Sequence, residues 1–253
     1  MISEDVNREK LASKERSLLF FQRQCQELKE LNGSMNLLKD NLEIAYKYSL
    51  GGAYRVSNEW EPMGLTDYYD TFGPELSFSN VLADKLSEGF AVAKFTHSGS
   101  QIVDWTPEGS MAKSRHIYPK FVGFIKEAIM ELEARGNKVE LAGIFYHLGE
   151  NDMSFYPYRR QAAERLKTII AKTREDLGRP DLKWYVSQQS PTDDKRVNNV
   201  DVVADVSAVA AADTNMVHIK AFELPPQEKK LVITTKGIVK LGEVIAKAYL
   251  SNP

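Results

Sequence analysis

Ile144-Phe-Tyr-His-Leu-Gly-Glu-Asn-Asp-Met153 is an apolar run that passes directly into Gly149-Glu150-Asn151-Asp152. A short apolar run closed by glycine, an amide and carboxylates describes a buried strand that delivers polar groups at its carboxyl end. In an open α/β sheet that edge is where ligands bind. Asn151 is therefore a candidate to donate its side-chain amide to an oxyanion. An Asx-turn capping the next element would use the same dipeptide.

Outward from this stretch the chain alternates between strand and helix patterns. Strands are predicted over Phe90–Thr96, Val139–His147, Leu182–Gln188 and Met216–Lys220. Helices are predicted over Pro74–Ser87, Pro119–Arg135, Tyr158–Leu177, Val200–Ala212 and Thr234–Leu250. The second of these carries Phe121, Phe124, Ile125, Ala128, Ile129 and Leu132 on one stripe, and Gly136 stops it. Alternating elements of this kind imply an α/β fold with a parallel sheet between helices.

The N-terminal 50 residues read differently. Leu11, Leu18, Phe21, Cys25 and Leu28 fall on the a/d-like spacing of an amphipathic helix. Asn32-Gly33 interrupts it, and a second helical stretch is predicted over Leu37–Tyr48. The expected organisation is a helical segment over 1–50 and an α/β domain over 51–253. The latter begins with a loop rich in aromatic and turn residues, in which Trp60, Tyr68 and Tyr69 look exposed, as does Trp105 further on.

Composition narrows the function classes. With 33 basic and 35 acidic side chains the net charge is −2, so electrostatics suggest neither nucleic acid nor an anionic membrane as partner. No run approaches the roughly 20 apolar residues of a membrane span. The charged N-terminus lacks the apolar core of a signal peptide, so the chain as written is expected in the cytoplasm. The single cysteine excludes an internal disulfide and a paired-cysteine metal site.

Chemistry-bearing residues gather at strand ends. His97-Ser98-Gly99-Ser100-Gln101 follows the strand Phe90–Thr96, and a glycine there lets a backbone N–H approach a ligand closely. Ser187-Gln-Gln-Ser-Pro-Thr-Asp-Asp194 follows another strand, and His218 stands late in the chain, before the final helix. Taken as metal ligands, His147, Asp152 and His218 would define a metal-dependent hydrolase instead, although their spacing matches no familiar ligand pattern.

Taken in order, these blocks resemble the SGNH hydrolase superfamily, and most closely its sialate O-acetylesterase-like carbohydrate esterases. Phe72-Gly-Pro-Glu-Leu-Ser-Phe-Ser-Asn80 resembles the family's Gly-Pro-Glu segment, and Ala93-Lys-Phe-Thr-His-Ser-Gly-Ser100 its second block. Phe145-Tyr-His-Leu-Gly-Glu-Asn-Asp152 resembles its Gly-Glu-Ser-Asp block, with Asn151 in place of Ser. His218 followed by Thr235-Lys-Gly-Ile-Val-Lys-Leu-Gly242 is similar to the family's end. The likeness covers about residues 50 to 250.

The resemblance implies a flavodoxin-like three-layer sandwich and removal of O-acetyl groups from saccharides by serine-esterase chemistry. That chemistry uses no metal and no organic cofactor. Carried over, Gly99 and Asn151 supply the oxyanion hole and His218 the general base, while Ser98, Ser100 and Glu150 contact substrate.

The pattern is departed from in two places. The family's Gly-Gln-Ser-Asn nucleophile block is absent, and its stand-ins are Ser34, in Gly33-Ser-Met-Asn36, and Cys25, which follows the apolar run 18–21. Asn215 occupies the position of the triad acid, where an amide orients imidazole but gives no charge to stabilise imidazolium. Without the first block, an internal slot of the sheet is left open unless residues 17–21 fill it. These departures motivate the alternative reading, an impaired homologue that binds carbohydrate without cleaving it.

Overall fold

The structure is a computed structural model, and it describes residues 44–51, 53–66, 71–112, 115–148, 152, 158–188, 199–222, 224 and 233–252. In chain order the described elements are β1 (Ile44–Leu50), β2 (Arg55–Val56), β3 (Glu61–Pro62), α1 (Glu75–Ala83) and β4 (Phe90–Phe95). A 3-10 turn (Ile102–Trp105), α2 (Tyr118–Ala134), β5 (Ile144–Leu148), α3 (Tyr158–Asp176) and β6 (Trp184–Gln188) follow. Then come α4 (Asn199–Ala212), β7 (Met216–Lys220) and α5 (Thr235–Ser251).

The strands β5, β6 and β7 pair in parallel, in that order, and β4 pairs in parallel with β1. The short pieces β2 and β3 run antiparallel to β1. Parallel strands are buried on both faces, and here the two faces carry separate cores. One core joins Phe121, Val122 and Ile125 of α2 and Leu166, Ile169 and Ile170 of α3 to Leu148, Trp184 and Val186. The other joins Phe78 and Leu82 of α1 and Leu241 and Ile245 of α5 to Tyr185 and Ile219.

β4 lies in the same layer as β5, because it serves both cores. Phe95 packs into the first, while Phe90 and Val92 pack into the second. Yet β4 and β5 share no strand pairing among the described residues. Residues 17–21, expected to fill an internal position of the sheet, lie outside the described residues, as do Ser34 and Cys25.

Of the helix expected over Leu37–Tyr48, residues 37–43 lie outside the described residues, and 44–48 are corrected by β1, a strand over Ile44–Leu50 in register with β4 from Ile44↔Phe90 to Ser49↔Phe95. Its period-2 signal is hidden because Tyr46, Lys47 and Tyr48 are all buried, so both faces of the strand are covered. Lys47 is tolerated there because its ammonium meets the Glu131 carboxylate of α2 at 2.9 Å. β5 is also shorter than predicted, beginning at Ile144 where Lys183 and Trp184 offer partners. Trp60, expected as an exposed aromatic, is buried, and Trp105 is half-buried. Tyr68 and Tyr69 lie outside the described residues.

Two contacts fix α1 and α5 on the sheet. The buried Glu75 carboxylate accepts the Gly73 backbone N–H at 2.8 Å, the Lys94 ammonium at 2.7 Å and the Tyr46 hydroxyl at 3.2 Å, joining the Gly-Pro-Glu segment to β1 and β4. Burial and the neighbouring Glu75 push the Tyr46 hydroxyl well above its ordinary pKa. On α5, Gly242 approaches α1 so closely that a Cβ would stand 2.1 Å from the Pro74 carbonyl oxygen. The Ser77 hydroxyl then donates to the Val239 carbonyl at 2.7 Å.

Candidate functional site

The carboxyl edge of the sheet is where β4 and β5 release their polar residues. After the last rung of β4, where Thr96 N–H donates to the Ser49 carbonyl at 2.9 Å, His97 leaves the sheet. The His97 carbonyl accepts the Ser100 N–H at 3.3 Å and the Ser100 hydroxyl at 2.8 Å, closing a tight turn. Gly99 in this turn has φ +67, a left-handed conformation that glycine adopts without steric cost. It is exposed, and its carbonyl is held by the Arg115 guanidinium. Its N–H makes no hydrogen bond among the described residues.

The turn continues into the 3-10 segment, which is pinned by two buried carboxylates. Asp104 accepts the Gln101 N–H at 2.9 Å. Asp152, the last residue of the Gly-Glu-Asn-Asp block, accepts the Ile102 N–H with both oxygens, at 3.0 and 2.9 Å. Burial and these two carboxylates hold the Tyr146 hydroxyl well above its ordinary pKa. Trp105 stands edge-on to Tyr146 with centroids 5.9 Å apart, and its indole N–H donates to the Ser100 hydroxyl at 3.0 Å. Ser100, assigned to substrate contact by resemblance, thus also braces this turn, whereas Ser98 is exposed. Gly149, Glu150 and Asn151 lie outside the described residues.

His218 is the third of the five residues of β7, inside the sheet. Its Nε2 stands 2.7 Å from the Gln188 amide oxygen and its Nδ1 3.1 Å from the Ser207 hydroxyl of α4. An amide oxygen only accepts, so Nε2 carries the proton, and Nδ1 accepts from Ser207. Burial, with the Lys220 ammonium adding to it, pushes the imidazole down to about 4, so the ring is neutral. Asn215 precedes β7 at its amino end, the edge opposite Gly99. There its carbonyl accepts the Trp184 N–H and the Arg174 guanidinium, both at 2.9 Å. Asp213 pairs with the same Arg174 at 2.6 Å. Among the described residues, neither His218 nor Asn215 is brought to Gly99.

The metal reading fails on strand register. His147 lies opposite Ser187 and His218 opposite Val186, and neighbouring positions of β6 point to opposite faces. The two imidazoles therefore stand on opposite sides of the sheet. His147 Nδ1 is 2.7 Å from the Ser187 hydroxyl, and burial pushes this ring also down to about 4. Sequence reasoning missed the roles of Asp152 and Arg115. Their signal is weak, since one sits at the end of a motif read for its amide and the other in a loop.

A parallel sheet between two helical layers, with a glycine turn braced by Asp152 at its carboxyl edge, defines a three-layer α/β domain. The family model described as SASA, carbohydrate esterase, sialic acid-specific acetylesterase, matches residues 48–251, and the chain belongs to that family. An Arabidopsis thaliana protein named as a probable carbohydrate esterase is 25% identical over 183 residues, 71% of this chain. The chain spans 64% of that relative's length.

Solved structures agree on the fold. An X-ray structure of an Arabidopsis thaliana protein superposes with a TM-score of 0.60 at 22% identity, covering 84% of this chain and 82% of that one. A carbohydrate acetylesterase from Xanthomonas citri superposes with a TM-score of 0.58 at 12% identity, covering 83% of this chain and 49% of that one. No described helix is long and apolar enough to cross a membrane.

Proposed function

We propose that this chain removes O-acetyl groups from saccharides at the carboxyl edge of its sheet. The observation that carries the reading is Gly99. The residue is exposed and its N–H makes no hydrogen bond among the described residues, while the turn around it is braced by Asp104, Asp152 and Arg115. A donor fixed in this way stabilises the charge that develops on an ester carbonyl oxygen, and it does so without reorganisation at the moment of reaction. Asn151 is the second donor in this reading, and Ser98 and Glu150 flank the bound sugar. Acetate release from acetylated sugars and from p-nitrophenyl acetate tests it. Purified protein that releases none from either would end the proposal.

A second reading, a family member that binds acetylated saccharide without turnover, is favoured by His218. Both of its ring nitrogens are engaged, and it sits inside β7. Calorimetry showing saccharide binding by a protein that liberates no acetate would select it.

A further inference from the structure

The sequence carries four histidines, at 97, 116, 147 and 218. Three are committed to neighbours. His218 is engaged at both nitrogens, His147 meets Ser187 and has its Nε2 buried, and His116 Nε2 lies 2.7 Å from the Pro107 carbonyl. His97 differs in place and in bonding. It opens the turn at the carboxyl edge, two residues before Gly99, and its Nδ1 lies 3.1 Å from the Ser98 carbonyl oxygen. A carbonyl oxygen only accepts, so Nδ1 carries a proton, and in the neutral ring Nε2 holds the lone pair. Nε2 has no hydrogen-bond partner among the described residues. One turn thus carries a basic nitrogen with an available lone pair and a backbone donor with no described acceptor.

We propose that His97 is the general base of this site and that it acts on water. The assignment rests on the esterase reading above. Nε2 takes one proton from a water molecule as the water oxygen bonds to the acyl carbon. The carbonyl π pair moves to its oxygen, where the Gly99 N–H meets the developing charge. The tetrahedral intermediate then collapses: the bond from the acyl carbon to the sugar oxygen breaks, and that oxygen takes the proton back from Nε2. The ester and one water become acetic acid, which ionises in solvent, and a free sugar hydroxyl. The imidazole ends as it began, and no serine or cysteine nucleophile is consumed or acylated. Ser98 serves twice here, since its carbonyl fixes the His97 tautomer and its exposed hydroxyl flanks the same turn.

The test is steady-state kinetics of the full chain, with p-nitrophenyl acetate and per-O-acetylated glucose as the probes. His97→Gln should lower kcat about 100-fold, the usual contribution of a positioned base, while KM stays within about threefold. His97→Ala should behave alike, and added imidazole should restore part of its turnover, which a merely structural role would not allow. A serine-directed phosphonate should leave the wild-type protein unlabelled and active. Both substitutions fall in a solvent-accessible turn, and unchanged urea midpoints would show that the fold survives them. Wild-type turnover that persists undiminished in both variants overturns the base assignment alone. Stoichiometric phosphonate labelling with loss of activity overturns the water step. A wild-type protein without acetate release overturns the esterase reading, and the assignment with it.

Discussion

The Asp152 carboxylate accepts the backbone N–H of Ile102 with both oxygens, at 3.0 and 2.9 Å, tying the block after β5 to the turn after β4. The two residues stand 50 apart in sequence, and both are buried. A carboxylate in this place costs desolvation, and a charge-assisted hydrogen bond offsets that cost. The link therefore sets the position of the Gly99 turn relative to β5, and any chemistry at this edge depends on it.

Asp152→Ala leaves the buried Ile102 N–H without its acceptor. Such an orphan costs about 1–3 kcal/mol, so the urea midpoint should fall with little change in slope. Asp152→Asn keeps one acceptor oxygen in place and should lose less. Equal midpoints for wild type and Asp152→Ala would show that the contact does not hold the turn.

Two helical glycines should respond in opposite directions. Gly242→Ala forces a Cβ to within 2.1 Å of the Pro74 carbonyl and the Ser77 hydroxyl, so α1 and α5 must separate. The expected loss is about 1–3 kcal/mol or more, the cost of overpacking. Gly123 lies on the exposed face of α2, and a methyl group added there would meet nothing within 4 Å. Gly123→Ala should therefore stabilise by roughly 0.5–1 kcal/mol through helix propensity. Thermal melts of the two variants decide the matter, and a stabilised Gly242→Ala would contradict the close helix contact.

Stability should fall on mild acidification, before the carboxylates titrate. Burial holds His147 at about 4, and burial with Lys220 holds His218 at about 4, against 6.5 in the unfolded chain. Between those values the unfolded chain binds more protons than the folded one. Their contribution is therefore complete above the unfolded value and is lost as pH falls toward the folded one. His147 is enclosed and should contribute close to 1.4 kcal/mol per pH unit in that window; His218 is more open, and screening reduces its share. Urea midpoints at about pH 7.5 and about pH 5 measure the difference. His147→Gln should reduce it to the share of His218, and a pH-independent midpoint in the wild type would refute the burial of these rings as neutral species.

Much of this architecture is legible in the sequence because helices with one apolar stripe announce themselves. The stripe on α2 and the alternation through β5, β6 and β7 need no tertiary information. β1 is different. Tyr46-Lys47-Tyr48 is buried throughout, so neither period survives, and only pairing with β4 makes it a strand. The site shows the same division. The turn at Gly99 can be read from the sequence, since a glycine just past a strand marks it without any partner. The contacts of His218 cannot, because Gln188 and Ser207 are brought to it by neighbouring elements. The link from Asp152 to Ile102 is non-local in the same way.

Lys47 and Glu131 allow a sharper test of how β1 is held. The ammonium is 2% exposed and the carboxylate 30% exposed, at 2.9 Å. The pair joins the centre of β1 to α2, and removing one partner does not equal removing the other. Glu131→Gln keeps the shape but leaves Lys47 buried without a counter-charge. Breaking a buried pair from one side costs about 3–5 kcal/mol, less here because the Glu131 side chain is 30% exposed. Lys47→Met removes the buried ammonium and keeps a flexible chain of similar length, but leaves a carboxylate whose Oε2 is already buried without a partner, so some desolvation cost stays. It should cost less than Glu131→Gln does. The order of urea midpoints is therefore expected to be Lys47→Met clearly above Glu131→Gln. The reverse order would mean that the ammonium makes a net favourable contribution to β1 beyond satisfying its own charge.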